Sequence, residues 1–331
     1  MKQYCTRAVA AALLFAPGLA FAQPILMDWV TVGNAGNAAD PTTGFGSVGY
    51  EYRIGTYEVT NAQYAAFLNA VAASDPNQLY TTLMGSDARG GITRSGSDGS
   101  YTYSVKANMG NKPVNFVNWY DAARMANWMT NGQGSGGTES GVYTLTGIDS
   151  ISTINRDLSN PNQVFIPNED EWYKAAYHQP ETLGGDSDGY WLYPTASNSV
   201  PTIAMASSTG DISNPGTNVA NYLFGADWNS VNGHVTTVGS AGPDSASFYG
   251  TSDQGGNVWE WNETLFVSSR GIRGGSWEDF EDALRSSEGS HHAPTDKLPY
   301  IGFRLARPVP GPGPVALVAV GAPLLARRRR R

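Results

Sequence analysis

Three helix starts follow the same pattern of polar and apolar positions along the chain. Each has a polar residue, then Gln, Asp or Glu three positions later, then apolar residues at helical spacing. This capping-box spacing predicts helices that begin after Thr60, Asn118 and Asn168. The predicted apolar faces are Tyr64, Phe67, Leu68 and Val71 in the first helix, Trp119, Ala122, Ala126 and Met129 in the second, and Trp172, Ala175 and Ala176 in the third.

The segments between these helices are less regular. Residues 50–54 alternate apolar with charged side chains, which predicts a strand in front of the first helix. Trp191 and Tyr193 are expected to pack inward from a long aperiodic segment. No linker or change of composition divides residues 23–307, so we expect one irregular α+β domain. The stretches that predict surface loops are residues 85–104, 132–141 and 180–250.

The two ends of the chain differ from this domain. Residues 1–22 join a basic start to a short apolar run and end in the small-residue pattern of Ala20–Ala22, which predicts a signal peptide. Residues 308–331 contain a Pro/Gly hinge, the apolar run Val315–Ala326 and five arginines. That run is shorter than the about 20 residues that a membrane span needs. The protein is therefore expected to be exported, with a C-terminal sorting or anchoring tail.

Composition limits the chemistry of the exported part. The only cysteine of the full chain, Cys5, lies in the predicted signal peptide, so the mature protein is expected to have neither disulfides nor thiolate ligands. Without the basic residues of the two ends, residues 23–310 hold 29 acidic and 14 basic residues, a net charge of −15. Such a body repels nucleic acid, so no nucleic-acid partner is expected.

Six phrases in the chain together resemble a known family. They are YEVTNAQYAAFLNA, PVNFVNWYDAARMANWM, IPNEDEWYKAAYH, DQGGNVWEW, RGGSW and GFRLAR, in this order. The chain is similar, over residues 27–307, to the formylglycine-generating enzyme family, also called the sulfatase-modifying factor domain. The resemblance implies a single C-type-lectin-like α+β domain with twisted antiparallel sheets, few short helices, long loops and bound structural calcium.

The C-terminal tail has a resemblance of its own. Its hinge, apolar run and arginines resemble the PEP-CTERM sorting signal, although the box Pro310–Pro312 has glycine in place of glutamate. The resemblance implies that an exosortase-type sorting enzyme removes the tail. It also implies only transient membrane contact through the tail, with delivery to the cell envelope, outer surface or extracellular matrix. A plain tail anchor is the alternative.

The same family resemblance raises a question about catalysis. Family members that make formylglycine oxidise a substrate cysteine, and they bind Cu(I) through two cysteines just after the Gly-Gly-Ser-aromatic turn. Those two positions fall on Asp279 and Leu284 in this chain. Cu(I) prefers soft thiolate ligands, which neither residue supplies. We therefore expect no copper and no catalytic residues of that kind.

Two other interpretations of the same region stay open. A second branch of the family uses non-haem iron, for which His291 and His292 with Asp279 or Glu281 are candidates. Adjacent histidines on an extended segment point to opposite faces, which argues against a shared ion. The acidic run of residues 278–282 is either a solvated loop, the wall of a ligand groove or a catalytic carboxylate pair.

Calcium is the cofactor that the resemblance implies for this chain. One site is predicted from the DQGGNVWE phrase, with Asp253, the Gly256 and Val258 carbonyls and Glu260 as oxygen ligands. The alternative is that Glu260 is a buried, hydrogen-bonded acid. The ligands of a second predicted site are Asn221, the Tyr222 carbonyl and Asp227.

These observations favour a non-catalytic binding or structural module on the cell surface. Long variable loops on such a scaffold can hold a ligand. Exopolysaccharide or a surface protein is the expected partner. The alternative is an oxidase of the sulfatase-modifying or non-haem-iron type that acts on protein cysteine or a sulfur compound.

Overall fold

The computed structural model describes residues 24–309, and both the predicted signal peptide and the sorting tail beyond Val309 lie outside these residues. The described chain forms one α+β domain with four helices and many short strands. The strands are β1 Trp29–Val32, β2 Tyr52–Gly55, β3 Ile92–Ser95, β4 Thr102–Val105, β5 Tyr143–Gly147, β6 Ser150–Ile154, β7 Thr202–Ile203, β8 Val219–Ala220, β9 Trp259–Phe266, β10 Ser269–Arg273, β11 Ser290–His292, β12 Ile301–Phe303 and β13 Ala306–Pro308.

The helices begin where the capping boxes predict. Thr60, Asn118 and Asn168 each accept a hydrogen bond from the third helical residue, whose side chain accepts one from the cap in return. Both exchanges satisfy backbone donors that a helix start leaves free. The helices are α1 Asn61–Val71, α2 Leu83–Ser86, α3 Trp119–Thr130 and α4 Glu169–Tyr177.

Two small sheets organise the centre of the domain. One has the strand order β1-β2-β13 and the other the order β11-β10-β9-β12. Most pairs are antiparallel, as expected, but β12 runs parallel to β9, and β7 runs parallel to β8. The parallel pairing places Phe303 beside Trp261 in the middle of the fold. The main core therefore joins the end of the described chain, residues 301–306, to Trp259 and Trp261 of β9.

The apolar faces of the predicted helices meet this core. Tyr64, Phe67 and Leu68 of α1 are buried, and the Trp119 ring of α3 packs edge-on against Tyr143 at 5.4 Å between centroids. Val71 and Met129, at the ends of their faces, are only partly buried. The periodicity therefore identified which side of each helix faces inward.

One loop prediction and one burial prediction need correction. Residues 85–104 contain the end of α2 and the β3–β4 hairpin, because Ile92 and Tyr103 on this hairpin are buried against the core. The prediction was wrong because most residues of this segment are polar or glycine, and only these two apolar residues reach the core. Within residues 180–250, Tyr193 is buried as expected, whereas Trp191 stays half-exposed.

Candidate functional site

Asp279, at the first position that the resemblance predicts for a copper ligand, holds together the Gly-Gly-Ser-Trp turn before it. The Asp279 carboxylate accepts hydrogen bonds from the Trp259 indole at 2.8 Å, from the Ser276 amide at 3.0 Å and from the Ser276 hydroxyl at 2.6 Å. One oxygen, Oδ2, receives all three. Asp279 therefore fixes the conformation of the Gly-Gly-Ser-Trp turn.

Leu284, at the second predicted position, is an apolar anchor. Its side chain is fully buried in a cluster with Tyr193, Ala220 and Tyr222. A Cβ at Gly275 would lie 2.8 Å from a Leu284 methyl group, so the glycine lets the turn approach this side chain. Carboxylate and hydrocarbon thus occupy the two positions, and neither donor set suits Cu(I).

The remaining acids of the run after Trp277 face solvent to differing degrees. Asp282 is exposed and pairs with Arg285 at 3.2 Å, which is an ordinary surface interaction. Burial raises the pKa of Glu278, and the neighbouring Asp279 adds to the effect. Glu281 begins a short 3-10 helix. The geometry fits a structured surface loop.

The histidines do not gather around these acids. His291 and His292 lie on β11, where they pair with Gly271 and Arg270 of β10. The His292 Nδ1 atom lies 3.1 Å from Asp296, and the His291 ring stacks on Phe266. Within residues 24–309, no three His, Cys, Asp or Glu side chains come close enough to hold a metal ion. The residues proposed for iron therefore do not fit that ion.

The first predicted calcium site falls on a buried charge network. Glu260 is fully buried and forms two hydrogen bonds with the Arg304 guanidinium, at 2.5 and 2.6 Å. It also accepts a bond from the Trp172 indole at 2.7 Å. This is the buried, hydrogen-bonded acid of the alternative interpretation. Its charge already has a partner, so a calcium ion here would depend on the other ligands.

The other members of that set lie on the loop before β9. Asp253 accepts a hydrogen bond from the Gly239 amide at 2.5 Å, and burial raises its pKa to about 6. Gly256 has a positive φ of 83° and forms an isolated parallel β-bridge with Asn221. Val258 is buried. Of the two carboxylates in the set, Asp253 is the one that makes no direct contact with Arg304 within residues 24–309.

The second predicted site is divided between the interior and the surface. Asn221 is buried and donates to the His234 carbonyl at 2.8 Å, whereas its Oδ1 atom has no hydrogen-bond partner among the described residues. The Tyr222 carbonyl accepts from Gly225, and exposed Asp227 accepts from the Gly233 amide at 2.7 Å. The unpaired buried oxygen of Asn221 suits a calcium ligand. The Asp227 carboxylate instead accepts a hydrogen bond within its own surface loop.

Sequence reasoning missed Glu58 in this region. Glu58 is almost fully buried; its Oε1 atom accepts from the Asn257 amide at 3.0 Å, while Oε2 has no partner in the described part of the chain. Burial raises the pKa of Glu58, and Asp253 raises it further. Asn257 also receives the Asn221 amide at 3.2 Å, so it links the two predicted calcium sites. The sequence signal was an acid next to apolar Val59 before a capped helix.

Comparison with known proteins identifies the class of this fold. Residues 32–309 match the sulfatase-modifying factor enzyme 1-like domain, and the chain belongs to this family. The crystal structure of CarF superposes with a TM-score of 0.51 at 22% identity, covering 86% of this chain and 99% of CarF. At this identity the likeness establishes the fold.

Two other solved structures superpose with lower scores. Treponema denticola variable protein 1 gives a TM-score of 0.46 at 16% identity, covering 86% of this chain and 96% of its own. PvdO from Pseudomonas aeruginosa gives 0.43 at 16% identity, covering 86% and 92%. No curated protein matches the chain.

Among the residues described, no helix has the length and apolar character to cross a membrane.

Proposed function

We propose that this protein is an exported, non-catalytic member of the sulfatase-modifying factor family that acts as a binding module at the cell surface. The observation that carries the proposal is the chemistry at Asp279 and Leu284. The carboxylate is engaged in the turn, and the leucine fills an apolar cluster. The resemblance implies two cysteine thiolates at these positions in the copper oxidases of the family, and neither residue supplies the soft donor that Cu(I) prefers.

The proposed location comes from the two ends of the sequence. The signal peptide of residues 1–22 directs export, and the tail of residues 308–331 directs the protein to an exosortase-type enzyme. Exopolysaccharide or a surface protein is the proposed partner. Support comes from the long irregular loops of residues 180–250, since loops on a rigid scaffold commonly carry binding residues.

Calcium is proposed as a structural ion of the module. Support comes from buried oxygen atoms that lack hydrogen-bond partners within residues 24–309, at Asn221 Oδ1 and Glu58 Oε2. Buried oxygens of this kind cost free energy unless a donor or a cation satisfies them. Oxygen is the ligand atom that calcium prefers.

The catalytic part of the proposal is tested with the purified exported form. Metal content is measured by mass spectrometry, and a cysteine-containing sulfatase peptide is incubated with copper and oxygen. We expect neither stoichiometric copper nor aldehyde product. Cysteines introduced together as Asp279→Cys and Leu284→Cys provide the matched comparison for copper binding. Aldehyde formation by the unaltered protein, or iron-dependent turnover of a sulfur compound, would show that it is an oxidase.

A further inference from the structure

An open groove of about 790 Å³ lies beside the sheet β1-β2-β13. This groove, named the Trp29 groove after its aromatic residue, has a volume within the range of about 300–1,000 Å³ that small-molecule sites occupy. Met27, Met129 and Val164 line it with apolar surface, and Trp29 adds an indole ring. Arg307 is the charged residue among those that line it. The groove therefore combines apolar walls with a positive charge.

The register of the sheet shows which side chains share the face of Trp29. The buried side chains of the opposite, core-facing side are Val32, Tyr52, Ile54 and Ala306. Thr31, Arg53 and Arg307 pair in one row across the three strands. Successive side chains of a strand point to opposite faces, so this row lies on the outer face, together with Trp29 two positions before Thr31. Arg53 therefore stands beside Arg307 next to the groove.

The two arginines of this row have no carboxylate partner. Neither Arg53 nor Arg307 forms an ion pair within residues 24–309. Burial lowers the pKa of Arg307, and the neighbouring charge of Arg53 lowers it further. Like charges opposite each other destabilise a sheet. An anion bound by both guanidinium groups would replace this repulsion with attraction.

Arg307 keeps a hydrogen-bond donor for such an anion. Its Nη2 atom donates to the Pro161 carbonyl, and the guanidinium carbon lies 5.7 Å from the centroid of the Trp29 ring. The Nε atom is sealed inside the protein, whereas Nη1 forms no hydrogen bond in the described chain and is not among its sealed atoms. The free donor and the indole ring are therefore neighbours at one site.

The segment in front of β1 is fixed as a wall of the groove. The Gln133 side chain accepts a hydrogen bond from the Ile25 amide at 2.6 Å and donates one to the Ile25 carbonyl at 3.0 Å. Both residues line the groove, and the two bonds hold Ile25 beside the end of α3. A wall that is already in place lowers the entropy cost of binding a ligand.

We infer that the Trp29 groove binds an acidic saccharide, with a sugar carboxylate on Arg307 and Arg53 and the C–H face of a sugar ring on Trp29. The inference rests on the proposed binding function and specifies the chemistry of the exopolysaccharide partner. Guanidinium groups match carboxylates through paired N–H donors, and indole supplies a large apolar face. A densely charged polyanion fits less well, because a body with a net charge of −15 repels it.

The test is calorimetric titration of the purified exported form with trigalacturonate. The methyl ester of the same trisaccharide is the neutral control, and a triglutamate peptide is the acidic probe without sugar rings. Trigalacturonate is expected to bind, with an affinity that falls as salt is added. The ester and the peptide are expected to bind about tenfold more weakly or less, since each lacks either the charge or the rings.

Two arginine variants identify the site. Arg307→Gln and Arg53→Gln are each expected to weaken trigalacturonate binding about tenfold, which is the scale of one hydrogen bond to a charged group. Arg53→Gln also removes the repulsion on Arg307, so its Tm should not fall below that of the unaltered protein. This variant keeps the test decisive even where Arg307→Gln fails to fold. Arg285→Gln, at a half-exposed position outside the groove, is the matched control and should leave binding unchanged.

The inference has clear contrary outcomes. No binding of trigalacturonate, equal binding of its methyl ester or of the peptide, or equal effects of Arg53→Gln and Arg285→Gln would overturn it. These results would leave the non-catalytic binding module standing, because metal content and aldehyde formation test that proposal separately.

Discussion

Three arginines pair with carboxylates that the fold buries. Arg304 pairs with Glu260 beside the core, and Arg273 pairs with Glu169 at the start of α4. Arg156 contacts Glu171 at 2.8 Å. Removing one partner of such a pair leaves an uncompensated buried charge, which is far more costly than losing both. The two residues of each pair therefore depend on each other for stability.

The contribution of buried His178 to the free energy of unfolding depends on pH. Its Nδ1 atom lies 2.7 Å from the Tyr249 hydroxyl, and burial together with the positive charge of Lys174 lowers its pKa to about 4. The unfolded chain takes up this proton near pH 6.5. The contribution of His178 to the free energy of unfolding should therefore fall as the pH drops from about 6.5 towards 4.

Replacing His178→Gln should flatten this acid dependence. Between about pH 6 and pH 4.5, the variant should take up about one proton fewer on unfolding than the unaltered protein. Urea unfolding curves at a series of pH values measure the difference as a change in slope. Identical slopes in the two proteins would contradict the buried, neutral state of His178.

At the scale of elements, local sequence predicts helix starts better than strands. A capping box involves residues three apart, so the hydrogen bonds between Asn118 and Asp121 require no tertiary contact. The β3–β4 hairpin differs, because its polar sequence yields strands only when Ile92 and Tyr103 reach the core. Strand formation depends on such distant partners, which a local pattern does not contain.

The β9–β10 hairpin contains a strained residue at its tip. Val267 is fully exposed and has a φ of +58°, a left-handed conformation that β-branched residues rarely adopt. Val267→Asn should stabilise the protein by about 1 kcal/mol, because asparagine tolerates this conformation. Val267→Thr keeps the branched side chain and should change stability by less than about 0.5 kcal/mol. Urea unfolding of both variants makes the comparison, and equal stabilities would show that the tip is unstrained.

For the whole molecule, the proposed calcium predicts a response to chelation. A ligand that binds only the folded state stabilises it by about 2.7 kcal/mol at a concentration about 100 times its dissociation constant. Chelation should therefore lower the Tm, and Asp253→Ala should abolish that response. Asp98→Ala, at an exposed loop, serves as the control. An unchanged Tm on chelation of the unaltered protein would remove the calcium proposal.

The sequence by itself determined the family, the single α+β domain and the positions of the three capped helices. It also predicted that Asp279 and Leu284 stand where the family resemblance places the copper ligands, and residue identity alone shows that neither supplies a thiolate. Tertiary structure alone decided that Glu260 pairs with Arg304, that Asp279 holds the turn and that buried Glu58 accepts a hydrogen bond from Asn257. Such partners can be far apart along the chain, as Asn257 and Glu58 are, whose residue numbers differ by 199. Burial and hydrogen bonding between such residues exist only once the chain has folded.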